Sequence, residues 1–134
     1  MYKYINSNQQ PKEGYIDILN LGGFLIYFWG SYDYFGSTRM YISRILAVGE
    51  EQKITIPPDA TNINLNVEFL FFPGIWIPLF SKNFEKNDER CYVTYGVTFI
   101  PLYAEVPCTS PGIISQVFSS GVFLPYSVCP NKYS

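Results

Sequence analysis

Residues Ile54–Trp76 read ITIPPDATNINLNVEFLFFPGIW and hold the clearest secondary-structure signal in the chain. Within this stretch apolar side chains occupy every second position, and Asn or Glu side chains stand between them. This period of two places the apolar set on one face of a β-strand, whereas a helix needs spacings of three and four. The sequence therefore predicts a strand with one buried face, formed by Ile63, Leu65, Val67, Phe69 and Phe71.

The far end of this strand is apolar on both faces, because Leu70 and Phe72 take the positions that Asn and Glu hold earlier. Such an end is either covered by more protein or offered to a partner. Proline interrupts sheet pairing, so we expect a loop from Pro73 to Pro78. The apolar side chains at its tip would be Phe71, Phe72, Ile75, Trp76 and Ile77. These side chains suit either an anchor at a bilayer interface or the end of the sandwich core.

Short apolar stretches on both sides of this strand predict an all-β chain. Phe24–Trp29 is apolar on both faces, which favours a central strand ending at Gly30. Met40–Val48 and Cys91–Ile100 are further strand candidates, and the charged segment Lys82–Arg90 predicts a solvated hairpin turn. No helix of useful length is expected. The predicted fold class is an antiparallel β-sandwich.

The length of 134 residues indicates a single domain. Residues 1–13 form a polar N-terminal arm, and residues 14–106 hold the predicted sandwich. Residues 107–134 are rich in Pro, Ser and Gly, and we expect an extension with short strands there.

The composition excludes one class of partner. Charged residues make up 15% of the chain, where about a quarter is usual, and the net charge is -2. No run of Lys or Arg is present, so the basic footprint that nucleic-acid binding requires is missing. Aromatic residues reach 19%, which predicts a surface with many neutral aromatic groups.

The residue types argue against catalysis. The chain contains no histidine, which removes the usual general base and a common metal ligand. No phosphate-binding glycine loop or zinc-type cysteine spacing is present. We expect neither an enzyme nor a cofactor or metal site.

The sequence also bears on location. The segment Met1–Gly14 lacks the apolar core of a secretory signal. We expect a secreted or extracellular protein, and this sequence is then either the mature form or one that is exported by another route. The longest dense apolar run, Phe24–Trp29, is far shorter than the roughly 20 residues of a transmembrane helix. We expect no helix that spans a bilayer.

The three cysteines, Cys91, Cys108 and Cys129, allow at most one disulfide within the chain. A Cys108–Cys129 bond would close a loop whose closure contributes roughly 3 kcal/mol. Three reduced, partly buried thiols and a bridge between two chains are the alternatives.

Three segments together resemble a known family. These are Ile56–Glu68 (IPPDATNINLNVE), Gly74–Trp76 (GIW) and Gly96–Pro101 (GVTFIP). In order and spacing they look like the C-terminal β-sandwich of the thiol-activated, cholesterol-dependent cytolysins. The resemblance extends over about Gly14 to Val106.

This resemblance implies a sterol-recognising pair in the last loop, at the positions of Thr98 and Phe99; the alternative is a pair of ordinary sheet positions. The family's tryptophan-rich loop carries a cysteine and several tryptophans, whereas Glu68–Phe80 offers Trp76 alone and no cysteine. The segments that form the family's pore belong to other domains. The resemblance therefore implies membrane recognition rather than pore formation by this chain alone.

Two functions follow as hypotheses. The first is a non-enzymatic module that docks on a membrane lipid, with sterol as one candidate, or on a cell-surface receptor. Its predicted site consists of Phe72, Ile75, Trp76, Ile77, Thr98 and Phe99. The second is a structural subunit of fibre or surface-layer type, a homo-oligomer joined by strand addition and disulfides.

Overall fold

The computed structural model describes residues 13–108 and Ile113, and strands make up most of this part. The first four strands are β1 Gly14–Asn20, β2 Ile26–Tyr34, β3 Ser37–Ile42 and β4 Glu50–Ile56. The next four are β5 Thr61–Phe72, β6 Ile75–Lys86, β7 Glu89–Val97 and β8 Ile100–Val106.

The strands form two four-stranded sheets that pack face to face. The first sheet has the order β4-β1-β7-β8 and the second has the order β3-β2-β5-β6. Neighbouring strands are antiparallel except β1 and β7, which run parallel. The predicted all-β sandwich is confirmed. The parallel pair was not expected, and it arises because the chain passes through the second sheet twice before β7 returns beside β1.

The strand β5 is the centre of the second sheet, as its alternating pattern predicts. Ile63, Leu65, Val67 and Phe69 are buried between the sheets. Phe71 has the same parity, yet it is 37% exposed because the strand extends beyond the core. The main core also contains residues from both sheets and the connections, namely Ile16, Ile18, Phe24, Ile26, Phe28, Leu46, Ile56, Ala60, Phe80 and Tyr92.

The asparagines of β5 explain the polar half of its pattern. On the outer face of the second sheet the Asn64 side chain donates to Ser31 Oγ and accepts from the Ser31 backbone N–H. Asn66 Nδ2 lies 3.3 Å from Asn64 Oδ1, and Ser81 Oγ donates to Asn66 Oδ1. These amides connect β2, β5 and β6 across the sheet, so the polar positions also stabilise the pairing.

A second, smaller cluster lies on the outer face of the first sheet, where Leu19, Cys91, Val93, Val106 and Ile113 are buried. A disulfide joins Cys91 to Cys108 there, across 17 positions of sequence. This bond joins two of the three candidate cysteines, and it differs from the Cys108–Cys129 bond that the sequence allowed beside its alternatives. Cys91 lies within β7 and Cys108 follows β8, so antiparallel pairing brings these two together. Cys129 lies outside the described residues.

Gly30 does not end the strand that begins near Phe24; it lies in the middle of β2. A Cβ atom at this position would collide with the backbone oxygen of Asn64 on β5. The Tyr41 hydroxyl occupies the adjoining space and donates to that same oxygen at 2.6 Å. The glycine therefore permits a close contact between strands rather than a turn.

Two other predicted boundaries were wrong. The strand expected over Met40–Val48 ends at Ile42, and the next residue, Ser43, exchanges hydrogen bonds with the backbone of Phe28. Lys82–Arg90 is not a hairpin turn, because β6 continues to Lys86 in the second sheet and β7 begins in the first. The segment crosses between the sheets.

Most of the predicted N-terminal arm and of the C-terminal extension lies outside the described residues. The exceptions are residue 13, residues 107–108 and Ile113. Among residues 13–108 and Ile113, no helix is long and apolar enough to cross a membrane.

Candidate functional site

Two hairpin turns meet at one end of the sandwich, one from each sheet. The turn Pro73-Gly74 joins β5 to β6, and the turn Thr98-Phe99 joins β7 to β8. The rings of Phe71 and Phe99 meet edge to face, with their centroids 5.9 Å apart. This contact brings both turns into one surface.

We call this surface the apolar tip and define it by six side chains that are exposed to solvent. Phe99 is 82% exposed and Phe72 is 61% exposed, which are large fractions for phenylalanine. The full set is Phe71, Phe72, Ile75, Val97, Phe99 and Ile100. Exposed apolar side chains that lie together in this way are a feature of interaction surfaces.

The apolar tip also lacks charge. Neither Phe69–Ile77 nor Tyr95–Leu102 contains an Asp, Glu, Lys or Arg. The nearest cations along the chain lie behind the tip, where Lys82 stands over the ring of Tyr103 and Arg90 pairs with Glu105 at 3.7 Å. Transfer of the tip into a less polar medium therefore requires no charge to be desolvated.

Gly96 determines the shape of the β7–β8 turn. Its φ of 96° lies in the left-handed region that favours glycine, and a Cβ atom would collide with the carbonyl oxygen of Ile100. Gly96 pairs with Pro101 across the hairpin. The tight pairing presents Phe99 at the apex on a short, ordered connection.

Three of the six predicted site residues belong to the apolar tip, and a fourth, Thr98, lies between two of its members. Phe72 and Ile75 face each other across the β5–β6 turn, and Thr98 and Phe99 form the β7–β8 turn. Thr98 is partly buried. The pair thus occupies a turn and not the ordinary sheet positions that the alternative assumed.

The other two predicted site residues lie elsewhere, because β6 begins at Ile75 and the expected Pro73–Pro78 loop is only a two-residue turn. Ile77 pairs with Phe69 and packs against the main core. Trp76 points to the outer face of the second sheet, where its ring meets that of Tyr27 at 4.8 Å. Neither side chain belongs to the apolar tip.

Sequence reasoning missed Val97 and Ile100. Val97 and Ile100 flank Thr98-Phe99, and the sequence placed them inside one continuous strand from Cys91 to Ile100. The signal was Gly96, whose position four residues before Ile100 is compatible with a tight hairpin.

The described residues offer no arrangement for metal chemistry: within 13–108 and Ile113 no group of three or more His, Cys, Asp or Glu side chains converges. Burial raises the pKa of the Tyr92 hydroxyl to about 12, so this buried phenol stays protonated near neutral pH.

The sequence matches no protein-family model and no curated protein. Its fold is nevertheless similar to part of several solved toxins. Listeriolysin O is 18% identical, with a TM-score of 0.54, over 74% of this chain and 23% of the toxin. Suilysin from Streptococcus suis is 17% identical, with a TM-score of 0.55, over 72% of this chain and 24% of that protein.

A third solved structure holds a disulfide-locked mutant of intermedilysin with human CD59. The toxin is 17% identical to this chain, with a TM-score of 0.52, over 74% of this chain and 25% of its own. The chain thus spans about a quarter of the length of the toxins it matches. The resemblance found in the sequence is confirmed as a likeness of fold to a domain of cholesterol-dependent cytolysins.

Proposed function

We propose that this chain is a non-enzymatic module that docks on a membrane surface through the apolar tip. The observation that carries the proposal is the convergence of two hairpin turns, one from each sheet, into one exposed and uncharged apolar surface. Aromatic side chains favour the interface between lipid and water. A surface of this chemistry suits the interface between a bilayer and water.

The energetics allow reversible attachment. Each apolar side chain that leaves water contributes roughly 1.5–3 kcal/mol, so partial burial of two or three tip residues holds the module on a membrane. Both turns are short and paired up to their last residues, which keeps the ordering cost on binding low. The same side chains would contribute little to folding, because they are exposed in the free protein.

The solved structures support the proposal at the level of fold. Suilysin is described as a cytotoxin and intermedilysin as a human-specific toxin. Because this chain corresponds to about a quarter of their length, we assign it the docking step and not pore formation. Docking of this kind places the protein outside the cell, on the surface of a target membrane.

Thr98 and Phe99 form the part of the site that we assign to sterol. The partly buried Thr98 beside an exposed ring offers one hydroxyl and one apolar contact, as a sterol with a single hydroxyl requires. A cell-surface protein is the second candidate partner, since intermedilysin was solved with human CD59. Self-assembly of this chain through its sheet edges is the alternative function.

Co-sedimentation with liposomes tests the proposal. We expect the protein to pellet with vesicles, and Phe99→Ala and Phe72→Ala each to reduce the bound fraction at least threefold. If the wild type pellets more strongly with cholesterol and Thr98→Ala removes this difference, the sterol contact is assigned to Thr98. Pelleting that is the same with and without cholesterol would contradict that contact alone.

Phe35→Ala is the matched control. Phe35 is 76% exposed in the β2–β3 turn, and the register of β2 with β5 puts it at the opposite end of the second sheet. The Phe35→Ala variant should pellet with vesicles to the same extent as the wild type. Equal losses in Phe99→Ala and Phe35→Ala would contradict docking by the apolar tip. Pelleting in a tube without vesicles would instead identify a self-assembling subunit.

A further inference from the structure

A second surface lies on the outer face of the second sheet. A groove of about 360 Å³ is lined by Tyr27, Trp29, Met40, Tyr41, Ile42 and Glu68, and we call it the aromatic groove. Tyr27 and Trp29 lie two residues apart on β2, so both side chains project from the same face. Ile42 stands opposite Trp29 on β3, and Glu68 stands opposite Tyr27 on β5.

Glu68 brings a negative charge into this apolar setting. Its Oε1 accepts a hydrogen bond from the Tyr27 hydroxyl at 3.2 Å, and its Oε2 accepts one from Trp29 Nε1 at 2.9 Å. Both donors are neutral, and no lysine or arginine in the described part of the chain pairs with Glu68. The carboxylate is therefore held in place beside two aromatic rings while its charge stays uncompensated.

We propose that the aromatic groove binds the choline head group of a membrane lipid. Aromatic rings attract cations through their faces, and quaternary ammonium groups are a recurrent ligand of such sites. The Tyr27 hydroxyl and Trp29 Nε1 hold Glu68 through its two oxygens, and aromatic and alkyl side chains make up the rest of the lining. This lining suits the methyl groups of a trimethylammonium group, which needs only charge and apolar contact, better than the N–H donors of a primary ammonium.

The position of the groove favours a lipid as the source of the choline group. Glu68 lies four residues before Phe72 on β5, so about 13 Å separate it from the apolar tip along the strand. Interfacial apolar groups enter a membrane by on the order of 5–10 Å, which leaves the groove at the level of the head groups. This inference rests on the proposed membrane docking of the apolar tip.

A soluble probe tests the groove without a membrane. The chain has two tryptophans: Trp29 lines the groove, and Trp76 packs on Tyr27 beside it. We expect phosphocholine and tetramethylammonium to change the tryptophan fluorescence saturably, and ammonium chloride at equal ionic strength to leave it unchanged. A response to ammonium equal to that to tetramethylammonium would overturn the quaternary ammonium assignment.

Paired variants identify the residues. Glu68→Gln should weaken phosphocholine binding at least tenfold, while Glu85→Gln, an exposed carboxylate on β6, should leave it unchanged. Tyr27→Phe keeps the ring, and its affinity for phosphocholine should stay within about threefold of the wild-type value. Tyr27→Leu removes the ring and should lose phosphocholine binding. Thermal unfolding verifies that both variants are folded. Equal phosphocholine affinity of Tyr27→Leu and Tyr27→Phe would then overturn the proposal.

Vesicles of phosphatidylcholine, phosphatidylethanolamine and phosphatidylglycerol separate this inference from the docking itself. We expect the strongest pelleting on phosphatidylcholine and loss of that preference in Glu68→Gln. Equal pelleting on all three lipids would overturn the head-group site and leave the docking intact. Phosphocholine binding without pelleting on any vesicle would overturn the docking and the lipid source of the ligand.

Discussion

At the scale of single residues, Asp17 is the most unusual ionisable group. It lies in the middle of β1 and is only 1% exposed. Burial, together with a hydrogen bond to the neighbouring Glu51 carboxyl and the charge of that group, raises the pKa of the Asp17 carboxyl to about 8, while Lys53 opposes the shift. Asp17 therefore stays protonated in the folded protein at pH values where an exposed aspartate is ionised.

This pKa predicts how the free energy of unfolding depends on pH. In the unfolded chain Asp17 ionises near pH 4, whereas the folded protein keeps the proton until about pH 8. The folded state binds more protons in this window, so Asp17 makes stability fall as pH rises from about 4 to 8. Asp17→Asn should flatten that slope and be more stable than wild type at pH 8.

Urea unfolding at pH 5, 6, 7 and 8 measures this slope. Asp88→Asn, an exposed aspartate in the crossing before β7, is the control and should retain the wild-type slope. A parallel pH dependence in Asp17→Asn and wild type would show that Asp17 is ionised in the folded state.

At the scale of elements, β8 depends on the disulfide. The strand lies at the edge of the first sheet, and it pairs only with β7 among the described strands. The Cys91–Cys108 bond closes a loop across 17 positions that contains the whole of β8. Closure of a loop of this size stabilises a protein by roughly 3 kcal/mol in the chain-entropy model.

Cys108→Ser should therefore lower the free energy of unfolding by about 2–4 kcal/mol under oxidising conditions. Reduction of the wild type should have a similar effect, and Cys129→Ser should have little. Chemical unfolding measures the loss, and mass mapping of non-reduced peptides identifies the bond. A linked peptide that contains Cys108 and Cys129 would contradict this structure.

At the scale of the whole molecule, Asn20 ties the two sheets together. It is fully buried at the end of β1 in the first sheet, and its Nδ2 donates to the backbone oxygens of Phe24 and Leu46. Leu46 in turn pairs with Ile26, the first residue of β2 in the second sheet. Asn20 Oδ1 accepts from the Gly22 backbone N–H and from Thr94 Oγ1 on β7.

Asn20→Ala should cost at least about 2 kcal/mol of stability, because it leaves several buried polar groups without their partners. Asn83→Ala, at an exposed position of β6, is the matched change and should stay within about 0.5 kcal/mol. Thermal and urea unfolding measure both. Similar losses in the two variants would show that water replaces the Asn20 side chain.

Phe99 shows how site prediction depends on scale. The resemblance pointed to Thr98 and Phe99, but the pattern from Cys91 to Ile100 favours a strand that continues through both residues, and Gly96 is the local sign of a turn. The contact of Phe99 with Phe71 joins hairpins of different sheets. Sequence patterns record which face a residue takes within its own strand, and they carry no information on which turn lies beside which.

By itself the sequence determined the all-β class, the alternating strand β5 and the apolar character of its far end. These properties are local, since a period of two and the position of prolines depend on neighbours along the chain. Only the tertiary structure decided that Cys91 pairs with Cys108, that Glu68 lies among Tyr27 and Trp29, and that the two turns form one apolar tip. Each of these contacts joins segments far apart in sequence, and their approach is set by the order of strands in the two sheets.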